Sequence, residues 1–168
     1  MSDDNSRPFI IPATFTTPAG TTAYASGDLI ANSGTAGLVR PLSFQLVRGV
    51  WAPGFVRKAH VKTADTGAAS ASIRLHLYRL QPTPSNGDNA AWLTTESHWL
   101  GSLTGTLDKT FTDYVKGELV PDNGSEVFVA ANQAANDVMI YGLLEARGAF
   151  TPQGAKEWDV SLAGFPGA

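Results

Sequence analysis

Apolar and polar positions alternate along much of this chain with a period of two, and long runs of helical spacing are missing. In Ser72–Leu80, Ile73, Leu75 and Leu77 fall on one side of an extended segment and Arg74, His76 and Tyr78 on the other. Trp158, Val160 and Leu162 alternate with Asp159 and Ser161 in the same way. Such alternation is the mark of a half-buried strand, because successive side chains leave a strand on opposite faces. Further strands are expected at Phe9–Phe15, Thr22–Ala31, Gly37–Val47, Phe55–Thr63, Thr110–Val120, Glu126–Asn132 and Asp137–Phe150.

The pattern changes in two places. "VMIYGLL" (138–144) is apolar on both faces, which predicts a strand buried between layers or between subunits. "DNAAWLTTESHW" (Asp88–Trp99) is the one stretch with room for a helical turn, with Asp88 as its N-cap. Between the strands lie "DTGA", "PDNG" and "TPQG", whose residues favour turns or tolerate left-handed backbone. Eight to ten short strands with turns at this spacing predict an all-β, antiparallel β-sandwich, jelly-roll-like.

The first twenty residues differ in character. They hold Pro8, Pro12 and Pro18, three of the ten prolines. The polar start gives way to "PFIIP". Proline keeps such a segment extended and removes backbone donors, which suits an arm or an edge strand. The chain is therefore divided into an extended N-terminal arm, residues 1–20, and one β-sandwich domain, residues 21–168. Phe9, Ile10 and Ile11 are apolar enough to require a surface, on their own domain or on a neighbour.

At 168 residues a single domain buries roughly 70% of its unfolded surface. Charged residues are only 16%, against about 25% in ordinary globular chains. That deficit fits a protein whose surface is committed to neighbours. A net charge of −3 with no Lys/Arg run argues against general nucleic-acid binding. Cysteine is absent, which removes disulfides, zinc-thiolate sites and thiol nucleophiles. No apolar run is long enough to span a membrane, and the acidic start does not read as a secretory signal.

Candidate chemistry is sparse. His60, His76 and His98 lie on different expected elements, and His60 and His76 become neighbours only if Phe55–Thr63 and Ala71–Leu80 form a hairpin. No metal-ligand spacing joins them. "GSLTG" (Gly101–Gly105) places Ser102 one position early for a nucleophile elbow and lacks the following helix. "SNGDN" and "PDNG" lack the spacing of a calcium loop and read as turns. No catalytic, cofactor-binding or metal-binding residue is assigned, and the chain is read as a non-enzyme. Trp51, beside "APG", is the best candidate for a sugar platform.

Four segments carry a resemblance: "AYASGDLIANS" (Ala23–Ser33), "GFVRKAHVKTAD" (Gly54–Asp65), "IRLHLYRLQPTPSNGDNAAW" (Ile73–Trp92) and "LLEARGAFTPQGAKEWDVSLAG" (Leu143–Gly164). Together they resemble small virion proteins of tailed bacteriophages, over about Thr21 to Gly164. The resemblance is one of strands and turns and carries no site motif. It implies a capsid decoration, or cement, protein that is made in the host bacterial cytoplasm. Such a protein sits on the capsid exterior of the virion and binds the major capsid protein and copies of itself, often as a trimer. Nucleic acid and membrane are not expected partners. The alternative is a carbohydrate- or receptor-binding β-sandwich module of a tail, fibre or head spike. Interface candidates are Phe9, Ile10, Ile11, Arg74, Arg79 and Trp51. The arm residues would lie on a partner, so that removing residues 1–12 spares folding. The two arginines would pair with acids across a subunit contact.

Overall fold

A computed structural model describes residues 8–46, 54–92, 98–129 and 139–166. Among the described residues the strands are β1 (Phe9–Thr16), β2 (Leu29–Ile30), β3 (Leu42–Gln45), β4 (Gly54–Thr63), β5 (Ser72–Tyr78), β6 (Trp99–Thr110), β7 (Val115–Pro121), β8 (Val127–Val129), β9 (Met139–Ala146) and β10 (Glu157–Pro166). All pairings are antiparallel. Along the sheet the order is β1-β10-β4-β7-β6-β5-β9-β2, with β3 also on β9 and β8 also on β4.

The path folds into two layers, each four strands wide. β1, β10, β4 and β7 form the first, with β7 and β8 end to end along β4. β6, β5, β9 and the β2/β3 pair form the second, with β2 and β3 end to end along β9. The chain moves between the layers at β1→β2, β3→β4, β4→β5, β6→β7, β8→β9 and β9→β10, the wrapping of a jelly roll. The layers join where β6 pairs with β7. There the register shifts between Thr106 and Lys109, and such a bulge bends the strand and sharpens its twist. Gly105 and Gly117 sit at this corner because a Cβ on either would collide with a backbone oxygen, that of Glu118 or of Thr106.

The inward positions of both layers form one core. Ile73, Leu75 and Leu77 from β5 meet Val56 and Val61 from β4, Leu103 and Leu107 from β6, and Trp158, Val160 and Leu162 from β10. All are at most 1% exposed. Burying side chains of this size stabilises the fold by about 1.5–3 kcal/mol each.

Both faces of β9 are covered, as its apolar run requires. Ile140, Leu144 and Ala146 face the main core. Leu143 on the opposite face is covered by Leu29, Ala31, Val39 and Tyr78, with Trp92 and Tyr141 packed alongside. The cover comes from the chain's own residues, Leu29 of β2, Tyr78 of β5 and the segments around Ala31, Val39 and Trp92.

Several expectations change. β6 occupies Trp99–Thr110, where no strand was expected. Its apolar set is thin (Leu100, Leu103, Leu107) and it carries two glycines, so alternation is weak there. β4 and β5 do not form a hairpin: β4 pairs with β10, β7 and β8, and β5 with β6 and β9. His60 and His76 therefore lie on different layers. Of Thr22–Ala31 only Leu29–Ile30 is strand. Asp88 caps no helix among the described residues, and its carboxylate is used elsewhere.

The apolar N-terminal segment is laid along its own domain. Phe9 to Thr16 pairs residue by residue with Gly164 to Glu157 of β10. Ile11 is buried and Phe9, Ala13 and Phe15 pack against the core. Removing residues 1–12 would therefore take core side chains away, contrary to the expected harmless deletion. Pro12 is accommodated because β1 is an edge strand.

Candidate functional site

The outward face of the second layer gathers the charged residues of β5. Arg74 and His76 point away from the core because Ile73, Leu75 and Leu77 point into it. Arg74 Nε lies 2.9 Å from Asp122 Oδ2, just past β7, and 3.0 Å from Thr104 Oγ1 on β6. Arg74 Nη1 is 3.8 Å from Glu145 Oε2. His76 Nε2 is 2.9 Å from the same Glu145 oxygen, and its ring stacks on Trp92 with centroids 4.3 Å apart. Arg147 Nη1 reaches the other Glu145 oxygen at 3.0 Å. Glu145 is nearly buried, at 7% side-chain exposure. Three basic side chains surround it, the compensation that a carboxylate withdrawn from water requires.

Serine, histidine and two acids thus stand close together, yet they are not arranged for nucleophilic catalysis. Ser102 lies opposite His76 in the β5–β6 ladder, but its hydroxyl donates to Asp122 Oδ2. His76 turns its Nε2 to Glu145. A nucleophile needs its hydroxyl on the base and the base held by a third group, and that relay is missing among the described residues. "GSLTG" runs through the middle of β6 and makes no turn into a helix. No group of three or more His, Cys, Asp or Glu side chains among the described residues is placed to hold a metal ion.

The electrostatics fit a structural network. Burial pushes the His76 imidazole below its ordinary value, and the hydrogen bond and charge of Glu145 offset this only in part. Desolvation works against the Asp122 carboxylate. Hydrogen bonds from Ser102 and Thr104, with the charge of Arg74, outweigh it and hold the group below the usual range.

A second polar pin lies nearby. Asp88 Oδ1 accepts from the Tyr24 hydroxyl at 2.8 Å and from the Ala31 amide at 2.7 Å, joining three separate segments. Burial is the main cause that raises both the Tyr24 phenol and the Asp88 carboxyl.

The outward face of the first layer is different. At one end Phe165, Phe55 and Phe128 stand in register across β10, β4 and β8. Phe128 is 48% exposed and Phe165 37%. Phe55 and Phe128 meet edge to face at 5.5 Å, and Arg57 lies over the Phe165 ring. Ile10, opposite Ala163, extends this patch on β1 and is 70% exposed.

At the other end of the same face lies an open cleft of about 460 Å³, lined by His60, Lys62, Lys109, Lys116, Glu118 and Asp159 among others. A second cavity, between Phe15, Leu42 and Leu144, measures only about 10 Å³, room for one water at most.

The expected interface residues are thus divided. Ile10 faces outward on the apolar patch, Ile11 is core and Phe9 is packed against it. Arg74 finds its acids within the chain. Arg79 Nη2 lies 3.2 Å from His98 Nδ1, on the other layer from Ile10. Trp51 lies outside the described residues. Phe55, Phe128, Phe165 and the lysines were not singled out in the sequence, because they come together from β4, β6, β7, β8 and β10. Each taken alone is an ordinary outward strand residue.

No protein-family profile matches the chain. No curated protein matches it either. Among solved structures it is similar to a carbohydrate-binding module, CBM28, specific for non-crystalline cellulose (11% identity, TM-score 0.40, 94% of this chain and 75% of that one). It is similar also to a chain of the cyanophage Pam1 capsid asymmetric unit (6%, 0.41, 99% and 90%). A third is the decameric BFDV capsid protein (12%, 0.35, 94% and 97%).

Proposed function

We propose that this chain is a non-enzymatic structural protein of a phage virion, a capsid decoration protein that binds the outer surface of the head. Its partners in this reading are the major capsid protein and further copies of itself, in a trimer. The observation that carries the reading is the outward apolar patch of Phe165, Phe55, Phe128 and Ile10 on an open sheet face. Contiguous apolar surface of this kind is a common mark of a protein contact. The sequence resemblance to phage virion proteins supports it. So does the network around Glu145, which uses up the polar groups that catalysis would need.

Within the expected arm, Phe9–Thr16 lies along the edge of its own sheet, with Ile10 turned toward the partner. Binding only to the assembled shell stabilises that shell by mass action, and repeated contacts on a symmetric particle add through avidity.

Mass spectrometry of purified particles tests the reading. Hundreds of copies per particle support decoration, a handful points to a tail or spike, and none refutes a virion role. The variant Ile10→Thr/Phe128→Thr should fold normally and bind particles at least tenfold more weakly; full binding would exclude this face. A glycan array that detects binding, lost on substituting the exposed Trp99, would favour the carbohydrate-binding alternative instead.

A further inference from the structure

The floor of the 460 Å³ cleft breaks a rule that the rest of the sheet obeys. Lys62 of β4 stands directly opposite Lys116 of β7, and Lys116 directly opposite Lys109 of β6. Three lysines in adjacent strands therefore form one cross-strand row. The bulge between Thr106 and Lys109 is what brings Lys109 into it. Adjacent strands are about 4.8 Å apart, so the three backbone positions span roughly 10 Å. Like charges directly opposite each other destabilise a sheet.

The neighbouring row, two residues along, is arranged in the ordinary way. His60 is opposite Glu118, and Glu118 accepts a hydrogen bond from Lys58 at 2.9 Å. The lysine row is relieved only at its ends, where Asp159 of β10 stands opposite Lys62. Lys109 pairs with its chain neighbour Asp108. Among the described residues no ion pair engages Lys62 or Lys116. Their ammonium groups lie over the rings of Tyr114 and Phe111, at 4.7 and 5.2 Å from the centroids. Those two rings stack on each other at 4.4 Å. Aromatic faces attract the cations and hold them in place without neutralising them.

A local conflict kept on an open, concave surface points to a function that offsets it. We infer that this row is a binding site for an acidic polypeptide segment of a partner protein, whose carboxylates take the place of the missing counter-charges. The row is short, and acids frame it: Asp159 opposite Lys62 on β10, Glu118 on β7 and Asp108 on β6. A nucleic-acid backbone continues its charge beyond 10 Å and would meet those carboxylates. A peptide with two or three acids among neutral residues matches both the length and the frame. The inference rests on the reading that this sheet face docks on protein, and it names the chemistry of the partner surface.

The test uses the intact protein and a fluorescent peptide carrying the sequence Ser-Glu-Ser-Asp-Ser-Glu-Ser, followed by anisotropy. The expected result is saturable binding at low salt that weakens as salt rises, since exposed charge pairs are screened. Lys62→Gln/Lys116→Gln should weaken it at least tenfold, whereas Phe128→Thr leaves it unchanged. No peptide binding, binding indifferent to the two lysines, or tighter binding of a single-stranded oligonucleotide would each overturn the inference. The peptide measurement involves no particle, so its failure is distinguishable from failure of the virion role.

Discussion

His76 Nε2 lies 2.9 Å from Glu145 Oε2, while the Trp92 ring covers the imidazole. Burial of this pair couples the outer face of the second layer to pH. The folded protein disfavours the charged imidazole, so its pKa is below the ordinary 6.5. The unfolded chain therefore takes up the proton first as pH falls. The contribution of His76 is complete above about 6.5 and is lost as pH falls from there toward the folded value. His76→Gln should flatten the fall in Tm between pH 8 and pH 5. An unchanged slope would show that other groups carry it.

Asp65 has the opposite sign. Its Oδ1 accepts from the amides of Gly67 and Gln153, each at 3.0 Å, but desolvation dominates and raises the carboxyl above 3.8. Between 3.8 and the folded value the native state binds the proton more readily, so stability rises as pH falls through that window. Asp65→Asn keeps the acceptor and removes the charge. Urea unfolding at pH 4, 5.5 and 7 should show the gap between variant and wild type narrowing toward acid.

Asp88 joins the Tyr24, Leu29–Ala31 and Asn86–Trp92 segments over the second layer. Asp88→Ala should cost about 3 kcal/mol, since it removes two hydrogen bonds to a carboxylate and orphans a nearly buried Tyr24 hydroxyl. Tyr24→Phe should cost about 1 kcal/mol by the same measurement. Equal losses would mean that the Ala31 bond contributes nothing.

At the β6–β7 corner, Gly105→Ala and Gly117→Ala each place a methyl group against backbone. Each should destabilise by about 3 kcal/mol or prevent folding, because backbone has to move. Thermal melts of the two variants measure this, and wild-type behaviour would mean that the layers join more loosely than described.

On the outer face of the first layer, Ile10→Thr and Phe128→Thr should each change stability by about 1 kcal/mol or less, because Ile10 stands largely in solvent and Phe128 about half in it. Sedimentation velocity should show weaker self-association. A strictly monomeric wild type would remove the support that this patch lends to the trimer.

The alternation of Ile73, Leu75 and Leu77 with Arg74 and His76 was legible because it depends on chain geometry alone. The double-faced burial of "VMIYGLL" was legible for the same reason, though not the identity of its cover. β6 was not legible, since a strand with Gly101 and Gly105 among few apolar residues carries little periodic signal. The hairpin that would make His60 and His76 neighbours does not form, because nearness in sequence says nothing about which layer a strand joins. Arg74 stands out in the sequence, but its partners Asp122 and Glu145 lie 48 and 71 residues beyond it and meet it only through β7 and β9.

By itself, the sequence determined that the chain is all-β, where most strands run and which way their side chains point. Those features follow from the two-residue repeat of a strand and from local turn chemistry. The tertiary structure alone decided the wrapping of the layers, the enclosure of Glu145 by three basic groups and the row of Lys62, Lys116 and Lys109. Each of these is a relation between distant strands, set by pairing register and by one bulge, and register is fixed only when the whole core packs.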